Sequence, residues 1–388
     1  MNVPLKILLV GEFSNVHWTL AEGLRALGHN VTVVSDGDGW KNYPRDIDLR
    51  RGPLNSKLST IHYLWDIAHV WPKLRGYDVV QIINPVFISL KAERIWPFYR
   101  FLRKHNGKVF LGAFGIDHFW VKVGMDCKTF RYSDFNIGPK LRNTPEQLIW
   151  TKDWLTGAKG ELNLRIADDC DGIVTGLYEY DCCYRPFYPE KTRFIPFPIK
   201  IPALMQGSGL REGDKDLSFP NEWKEGEPVR FFIGIQKTRS VYKGTDIMYS
   251  ALQRLKADYP ERMEIQKAES VPFDEYQKML STSHVLLDQL YSYTPAMNAL
   301  LGMSKGLICV GGGEEEQYEI LDEHELRPIV NVQPSEEDVY RQIYNRLLSG
   351  KEDVRQLQLD SIEYIRRHHD HIKVAKEYLE FWGIDNFM

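Results

Sequence analysis

Apolar positions along the chain alternate between two registers. Lys6-Ile-Leu-Leu-Val10 is a continuous apolar run ended by Gly11, the pattern of a parallel strand buried on both faces. Trp18, Leu20, Ala21, Leu24 and Leu27 then recur at helical spacing, with Gly28 as the C′ residue, before a second run, Val31-Thr-Val-Val34. Strand, helix and strand within about 30 residues make a βαβ unit. Runs at 78–83, 108–111, 172–175 and 193–196 continue the alternation, and a helical stretch carrying Arg94, Arg100 and Arg103 lies between the first two. Residues 203–228 change character: Met205-Gln-Gly-Ser-Gly-Leu-Arg-Glu-Gly is polar and glycine-rich, the mark of a linker. The alternation then restarts, with strands predicted at 229–233, 263–267, 285–287, 307–310 and 329–332 and helices at 245–256, 273–282 and 295–305. The pattern predicts two Rossmann-like doubly wound α/β domains, 1–203 and 229–365, joined by a linker at 204–228 and followed by a helical segment at 366–388. Two such domains leave a cleft, where ligands of open parallel sheets bind.

Composition narrows the class. Of 388 residues, 43% are apolar and 26% charged, which fits a globular chain rather than a disordered or fibrous one. Lys plus Arg number 49 against 53 for Asp plus Glu, a balance that argues against a general nucleic-acid binder. No stretch approaches the roughly 18 apolar residues of a membrane-spanning helix, and the opening run is too short for a signal peptide. The five cysteines (Cys127, Cys170, Cys182, Cys183, Cys309) are odd in number and lack metal-ligand spacing. A cytoplasmic protein without a metal site is the expectation.

Candidate chemistry clusters at strand ends. Thr294-Pro295 followed by Ala296-Met297-Asn298 reads as a helix start with Thr294 as N-cap and Pro295 first in the helix, offering free amides and a dipole to an anion; Tyr291 and Tyr293 precede it. The alternative is an ordinary capped helix. After the strand that ends at Gly234, Lys237, Arg239 and Lys243 fall in one strand-to-helix loop and are placed to neutralise a diphosphate. Gly311-Gly312-Gly313 allows close backbone approach to a ligand, and the run through Glu316 supplies carboxylates for sugar hydroxyls; a flexible turn with a solvated acidic run is the plainer reading. In the first domain, Asp117 and His118 are candidates for a base or for holding a hydroxyl, against the alternative of a packed core histidine. Gly11, Asn15 and His17 in the first strand-to-helix loop form a weaker candidate on the same side. Gly11 stands alone, without Gly-x-Gly-x-x-Gly, so a nicotinamide or flavin site is poorly supported. Asp36-Gly-Asp38 reads as a turn, and His368, His369 and His371 as decoration of a late helix.

These residues resemble a known group. Leu27-Gly28-His29-Asn-Val31 is similar to the opening Leu-x-x-x-Gly-His-x-Val of glycosyltransferases of the GT-B fold, within them the glycosyltransferase family 4 type. Ala167-Asp-Asp-Cys-Asp-Gly-Ile-Val-Thr175 resembles the strand before the domain crossing. Lys243-Gly244-Thr-Asp246 is similar to Lys-Gly-x-Asp, and Gly302-Met303-Ser-Lys-Gly306 to Ala-Met-Ala-x-Gly. The chain departs where the family has Glu-x7-Glu, since those positions fall on Tyr293 and Leu301, and Ile235 stands where the family has Arg.

The resemblance implies a GT-B α/β fold and a retaining, metal-independent hexosyltransferase with no cofactor beyond its nucleotide-diphosphate sugar. The donor is expected on the second domain at Gly234, Lys237, Arg239, Lys243, Tyr293, Thr294, Ala296, Met297, Asn298, Gly312, Gly313 and Glu316. Asp117, His118 and Lys243 are the expected catalytic residues, with Gly11, Asn15 and His17 on the acceptor side. The acceptor is a carbohydrate or lipid-linked molecule of bacterial surface polysaccharide synthesis, and the last helix crosses back to the first domain. The basic, aromatic stretch from Arg94 to Lys108 suggests peripheral contact with the inner membrane surface. A nucleotide-sugar epimerase and a non-catalytic glycan-binding or scaffold relative remain the rival readings.

Overall fold

A computed structural model of the chain describes residues 3–53, 56–202, 219–236, 240–269, 271 and 273–383. They form two compact units: Met1–Asp126, Pro145–Pro198 and His371–Met388 make the first, Cys127–Thr144 and Ile199–Asp370 the second.

The chain runs β1 (Lys6–Val10), α1 (Val16–Ala26), β2 (Asn30–Ser35), β3 (Ile47–Asp48), α2 (Lys57–Val70), β4 (Val79–Ile82), α3 (Trp96–His105), β5 (Lys108–Gly112) and α4 (His118–Gly124). After a hairpin of β6 (Asn136–Ile137) and β7 (Lys140–Leu141) come α5 (Pro145–Trp150), α6 (Ala158–Asp169), β8 (Gly172–Thr175), α7 (Tyr178–Tyr184) and β9 (Thr192–Phe194). The second unit continues with β10 (Val229–Ile235), α8 (Ser240–Lys243), α9 (Thr245–Asp258), β11 (Met263–Glu269), α10 (Phe273–Ser281), β12 (Val285–Leu287), α11 (Met297–Met303), β13 (Ile308–Gly311), α12 (Glu315–Ile320), β14 (Val330–Asn331), α13 (Glu336–Ile343) and α14 (Val354–His368). The last helix, α15 (His371–Phe381), belongs to the first unit.

The first sheet has seven parallel strands in the order β3-β2-β1-β4-β5-β8-β9. Ile7, Leu8, Leu9 and Val10 are fully buried, as a strand covered on both faces requires. Gly28 ends α1's turn at φ 89°, and its amide bonds to the Arg25 carbonyl. Along the other side of α1 lies α15. A Cβ on Gly23 would stand 2.2 Å from the His371 carbonyl oxygen, so the approach of the two helices depends on that glycine. Beyond α15, Trp382 is fully buried near Phe110, and Lys108 Nζ donates to its carbonyl.

The second sheet is parallel too, β11-β10-β12-β13-β14. Phe231, Ile233, Val285, Leu287, Ile308 and Val310 pack with Met248, Leu252 and Leu255 of α9 as its core.

Three expectations change. Residues 127–144, which the pattern counts with the first domain, form a hairpin grouped with the second unit. Of the expected linker, 204–218 lies outside the described residues, whereas Phe219 and Asn221 are buried, with Asn221 donating to the Ser283 carbonyl and its own carbonyl held by Gln358. The late histidines are not surface decoration: His369 and His371 are buried, and His368 pairs with the buried Glu323 at 2.7 Å. The reason is that the helix bend between α14 and α15 is itself packed, the His369 carbonyl accepting the Ile199 amide.

Candidate functional site

Chain order in the second sheet reverses at β10, whose neighbours are β11 on one side and β12 on the other. In such sheets ligands bind outside the carboxyl ends of the strands at that switch point. The loop leaving β10 runs through Lys243 to Gly244; Lys237 and Arg239 lie outside the described residues. Gly244 has φ 71°, and a Cβ on it would stand 2.7 Å from Leu290, so glycine lets this loop meet the loop leaving β12. There the Leu290 amide donates to the Lys243 carbonyl at 3.0 Å.

Asp288, the first residue past β12, is buried. Burial pushes its carboxyl up, opposed by the charge of Lys243 and by hydrogen bonds from the Asn298 side chain and the Ala296 amide. Tyr276 of α10 donates to Asn298 Oδ1 at 3.4 Å, and its ring lies over Gly234, 3.0 Å from where a Cβ would be. Gly234, Lys243, Ala296 and Asn298 are thus brought together around Asp288. A cation, an amide, a phenol and a carboxyl at a switch point can bind phosphate oxygens and ribose hydroxyls. Asp288 enters the sequence reading only through the resemblance, beside Asn298 and the glutamates of 314–316, as a substitute for the carboxylates the chain lacks at Tyr293 and Leu301. Tyr276 escapes it, being a single polar residue in an amphipathic run.

The remaining donor-side candidates lie further along the loop leaving β12 or past β13, and are occupied by the protein itself. The helix starts at Met297 with Ala296 as a cap lacking a side-chain bond, so Thr294 is not the N-cap and Pro295 lies before the first turn. Asp288 takes the Ala296 amide, while Thr294 and Met297 are buried. Gly312 and Gly313 need no ligand to explain them. A Cβ on Gly312 would stand 2.2 Å from the Ser292 carbonyl oxygen, and one on Gly313 2.7 Å from Ile329. Tyr293 is buried under the hairpin: its hydroxyl accepts the Arg131 amide at 2.7 Å, and the rings of Phe130 and Tyr132 lie 5.6 Å and 5.0 Å from its own. Glu316 pairs with the Arg131 guanidinium, which also binds Glu314 at 2.7 Å. Glu314, buried, accepts from Tyr132, Asn331 and Gln333 as well.

The first sheet reverses between β1 and β4. Gly11 opens the loop there at φ +85°, its missing side chain filled by Ile83. Ser14 and Asn15 follow at φ 52° and 69°, and such backbone concentrates at functional sites. The Glu12 carboxylate accepts the amides of His17 and Trp18 at the start of α1. Burial pushes it up to about 8 against those two bonds. His17 is fully buried, its Nδ1–H donating to the Gly11 carbonyl at 2.8 Å and its Nε2 accepting from Gln81. Burial lowers it to about 3, so it is a neutral core residue with no surface for an acceptor.

Asp117, too, is fully buried. It caps α4, accepting the Trp120 amide at 2.9 Å and the Tyr184 hydroxyl at 2.7 Å, and burial pushes it up to about 6. With both oxygens engaged it is a helix cap and not a group that touches substrate. His118 keeps 9% of its surface. Its Nδ1–H donates to the Trp154 carbonyl at 2.8 Å, which leaves the lone pair on Nε2, and burial holds it neutral.

The helix expected to lie on a membrane faces inward with its aromatics. Tyr99 is buried and bonds to Asp169, Trp96 lies under the Arg165 guanidinium, and Phe98 packs on Trp71 at 5.1 Å. Arg103 pairs with Asp169 and Asp171. Among the described residues no helix is long and apolar enough to cross a membrane.

No family model matches the chain, and no curated protein does by sequence. Solved structures do. Sucrose-phosphate synthase from Thermosynechococcus elongatus is similar at a TM-score of 0.58 and 14% identity over 98% of each chain. Anabaena HepE, in complex with UDP and glucose, gives 0.56 at 10% identity over 98% of this chain and 100% of its own. The catalytic domain of starch synthase IV from Arabidopsis thaliana, bound to ADP and acarbose, gives 0.56 at 9% identity over 98% and 99%. At such identities the likeness is one of fold, the GT-B fold of two Rossmann-like α/β units.

Proposed function

We propose that the protein is a glycosyltransferase using a nucleoside-diphosphate sugar, and that it retains the anomeric configuration. The observation that carries the reading is the set of polar groups at the β10/β12 switch point, Lys243, Asp288, Asn298 and Tyr276, on a GT-B fold spanning the chain. The structural relatives bound to UDP or ADP support a nucleotide donor. Lys243 is the cation for the leaving diphosphate, since this chemistry rests on stabilising negative charge as it develops. Asn298 and Tyr276 orient the nucleotide, and Asp288 holds Asn298 and Lys243 in place. On the first unit the acceptor, a carbohydrate or lipid-linked carbohydrate, binds at the loops leaving β1 and β4, where Asn15 adopts its strained backbone. His118, at the start of α4 past β5 and neutral with its lone pair on Nε2, is the base or hydroxyl acceptor on the same unit, and Asp117 positions it through the first turn of that helix. Surface polysaccharide synthesis at the inner face of a membrane fits a lipid-linked acceptor.

Thermal-shift binding to UDP, GDP, ADP and CMP, followed by Lys243→Ala on any hit, tests the reading. One nucleotide should stabilise the wild type and lose at least tenfold in affinity in the variant. Stabilisation by none of the four would overturn the donor assignment. It would favour a non-catalytic glycan-binding relative, a reading for which Tyr293, buried under the hairpin where the resembled family has a glutamate, is the specific observation. Isomerisation of the sugar without transfer would identify an epimerase instead.

A further inference from the structure

The hairpin Cys127–Thr144 is spelled within the first unit's stretch of chain and folds onto the second. It is well built internally: Phe130, Tyr132, Phe135 and Asn136 are buried, and Asn136 Nδ2 donates to the carbonyls of Phe130 and Gly138. Its contacts fall on the loops at the carboxyl ends of β10, β12 and β13. Arg142 Nη2 donates to the Val241 carbonyl at 2.7 Å and Nη1 to that of Tyr242 at 3.1 Å, both on α8 past β10. The same guanidinium lies 3.4 Å from the centre of the Tyr291 ring, past β12. Tyr242 bonds back to Asp134 of the hairpin. One strand over, Arg131 and Tyr132 close on Glu314 and Glu316.

We propose that Arg142 is a positioning residue for the donor site, fixing the spacing of the β10 and β12 loops, and that the hairpin is the element that delivers it. The proposal rests on the donor reading above and names a determinant of it that the family resemblance does not contain. The geometry needs a guanidinium. Its edge carries the fork that reaches two successive carbonyls while its flat face covers an aromatic ring, and an ammonium cannot do both. Tyr242 immediately precedes Lys243, and Tyr291 follows Asp288 by three residues. Arg142 therefore sets how far the site's cation stands from the carboxyl and amide it works with, a distance to which binding and catalysis are sensitive at about 1 Å. The Arg131–Tyr132 contacts with Glu314 act as the latch that keeps the hairpin seated.

The test uses the full chain and the nucleotide that stabilises the wild type. Arg142→Met keeps the apolar stem and removes fork and charge. It should weaken nucleotide binding about tenfold by calorimetry and raise the donor KM more than it lowers kcat. Arg142→Lys should fail to restore either, whereas a merely structural cation would be rescued. In the wild type alone, saturating nucleotide should slow amide exchange across residues 129–142, which keeps the proposal exposed even where a variant folds poorly. Equal affinity in Arg142→Met, or hairpin amides indifferent to nucleotide, overturns it while leaving the donor reading intact. A wild type that binds no nucleotide overturns both.

Discussion

Glu12 and Asp117 are carboxyls in strand-to-helix loops that the fold removes from water. Each holds the first turn of a helix, Glu12 through two amides of α1 and Asp117 through one of α4. For Glu12, burial outweighs the bonds that favour its charge, so its folded value, about 8, lies above the 4.5 of the free group. The stability it contributes is fully present below about 4.5 and is lost as pH rises toward about 8. Glu12→Gln should remove that slope, so the difference in melting temperature between wild type and variant should move in the variant's favour on going from about pH 5 to pH 8. A difference that stays constant over that range would show that Glu12 does not titrate there. Asp117→Ala should destabilise the first unit by about 1–3 kcal/mol, from a lost cap and the loss of the acceptor 2.7 Å from the buried Tyr184 hydroxyl, which keeps only Asn163. Urea unfolding reads this, and an unchanged midpoint would refute the cap. Nothing in Gly-Ile-Asp-His-Phe distinguishes a capping aspartate from a catalytic one, because the deciding partner, Tyr184, lies 67 residues on.

Elements were legible where one periodicity dominated. The strands β8 and β12, and β1 beyond its exposed Lys6, are buried and coincide with largely apolar runs, and α1 and α9 with helical spacing, because in a doubly wound fold burial on both faces leaves few competing patterns. The hairpin was not legible. Residues 127–144 carry neither period, and they are held by partners 99 to 185 positions away, from Val241 to Glu316. Helix α2 is a different case, for its apolar residues lie on two faces. Tyr63 and Ile67 are buried, while Leu58, Ile61, Leu64 and Trp65 are exposed at 75%, 62%, 41% and 64%. Exposure of that kind marks an interaction surface. Next to it, through the Trp71–Phe98 contact, is α3, whose stretch from 91 to 105 holds five basic residues against one acidic. An apolar stripe beside surplus positive charge complements an anionic bilayer, with Trp65 at the interface. The membrane contact proposed for this chain would use α2 for insertion and Arg100 and Lys104 for attraction, instead of the aromatics of α3. Ile61→Ser with Trp65→Ser should abolish co-sedimentation with phosphatidylglycerol vesicles, and Arg100→Glu with Lys104→Glu should weaken it and its salt sensitivity. Binding unchanged in both double variants would leave α2 without this role.

At the scale of the whole molecule, each half of the chain carries a piece of the other's unit. The stretch before residue 199 contains the hairpin that seats on Tyr291, Tyr293 and Glu314. The stretch after it contains α15, which covers α1 and leads to the buried Trp382. A linear reading assigns domains by where alternation restarts and so cannot register the hairpin, which shows no break in composition; the return of the last helix is expected only from the family resemblance, since by its pattern α15 is one more amphipathic helix. The exchange has a consequence for cooperativity. A fragment ending at residue 202 lacks the helix against which Gly23 is shaped, and exposes apolar surface around Phe110 that Phe381 and Trp382 cover. A fragment from 219 to 383 leaves Glu314 and Glu316 without Arg131 and Tyr132, and Tyr293 without the aromatic rings that cover it. Expressed separately, both fragments should lose cooperative unfolding. Expressed together they should associate and recover it, because each supplies the segment the other lacks, and Gly23→Leu in the first fragment should prevent that recovery. Two fragments that melt cooperatively alone and do not associate when mixed would show the units to be independent, with hairpin and terminal helix as attachments to them instead of parts of their cores.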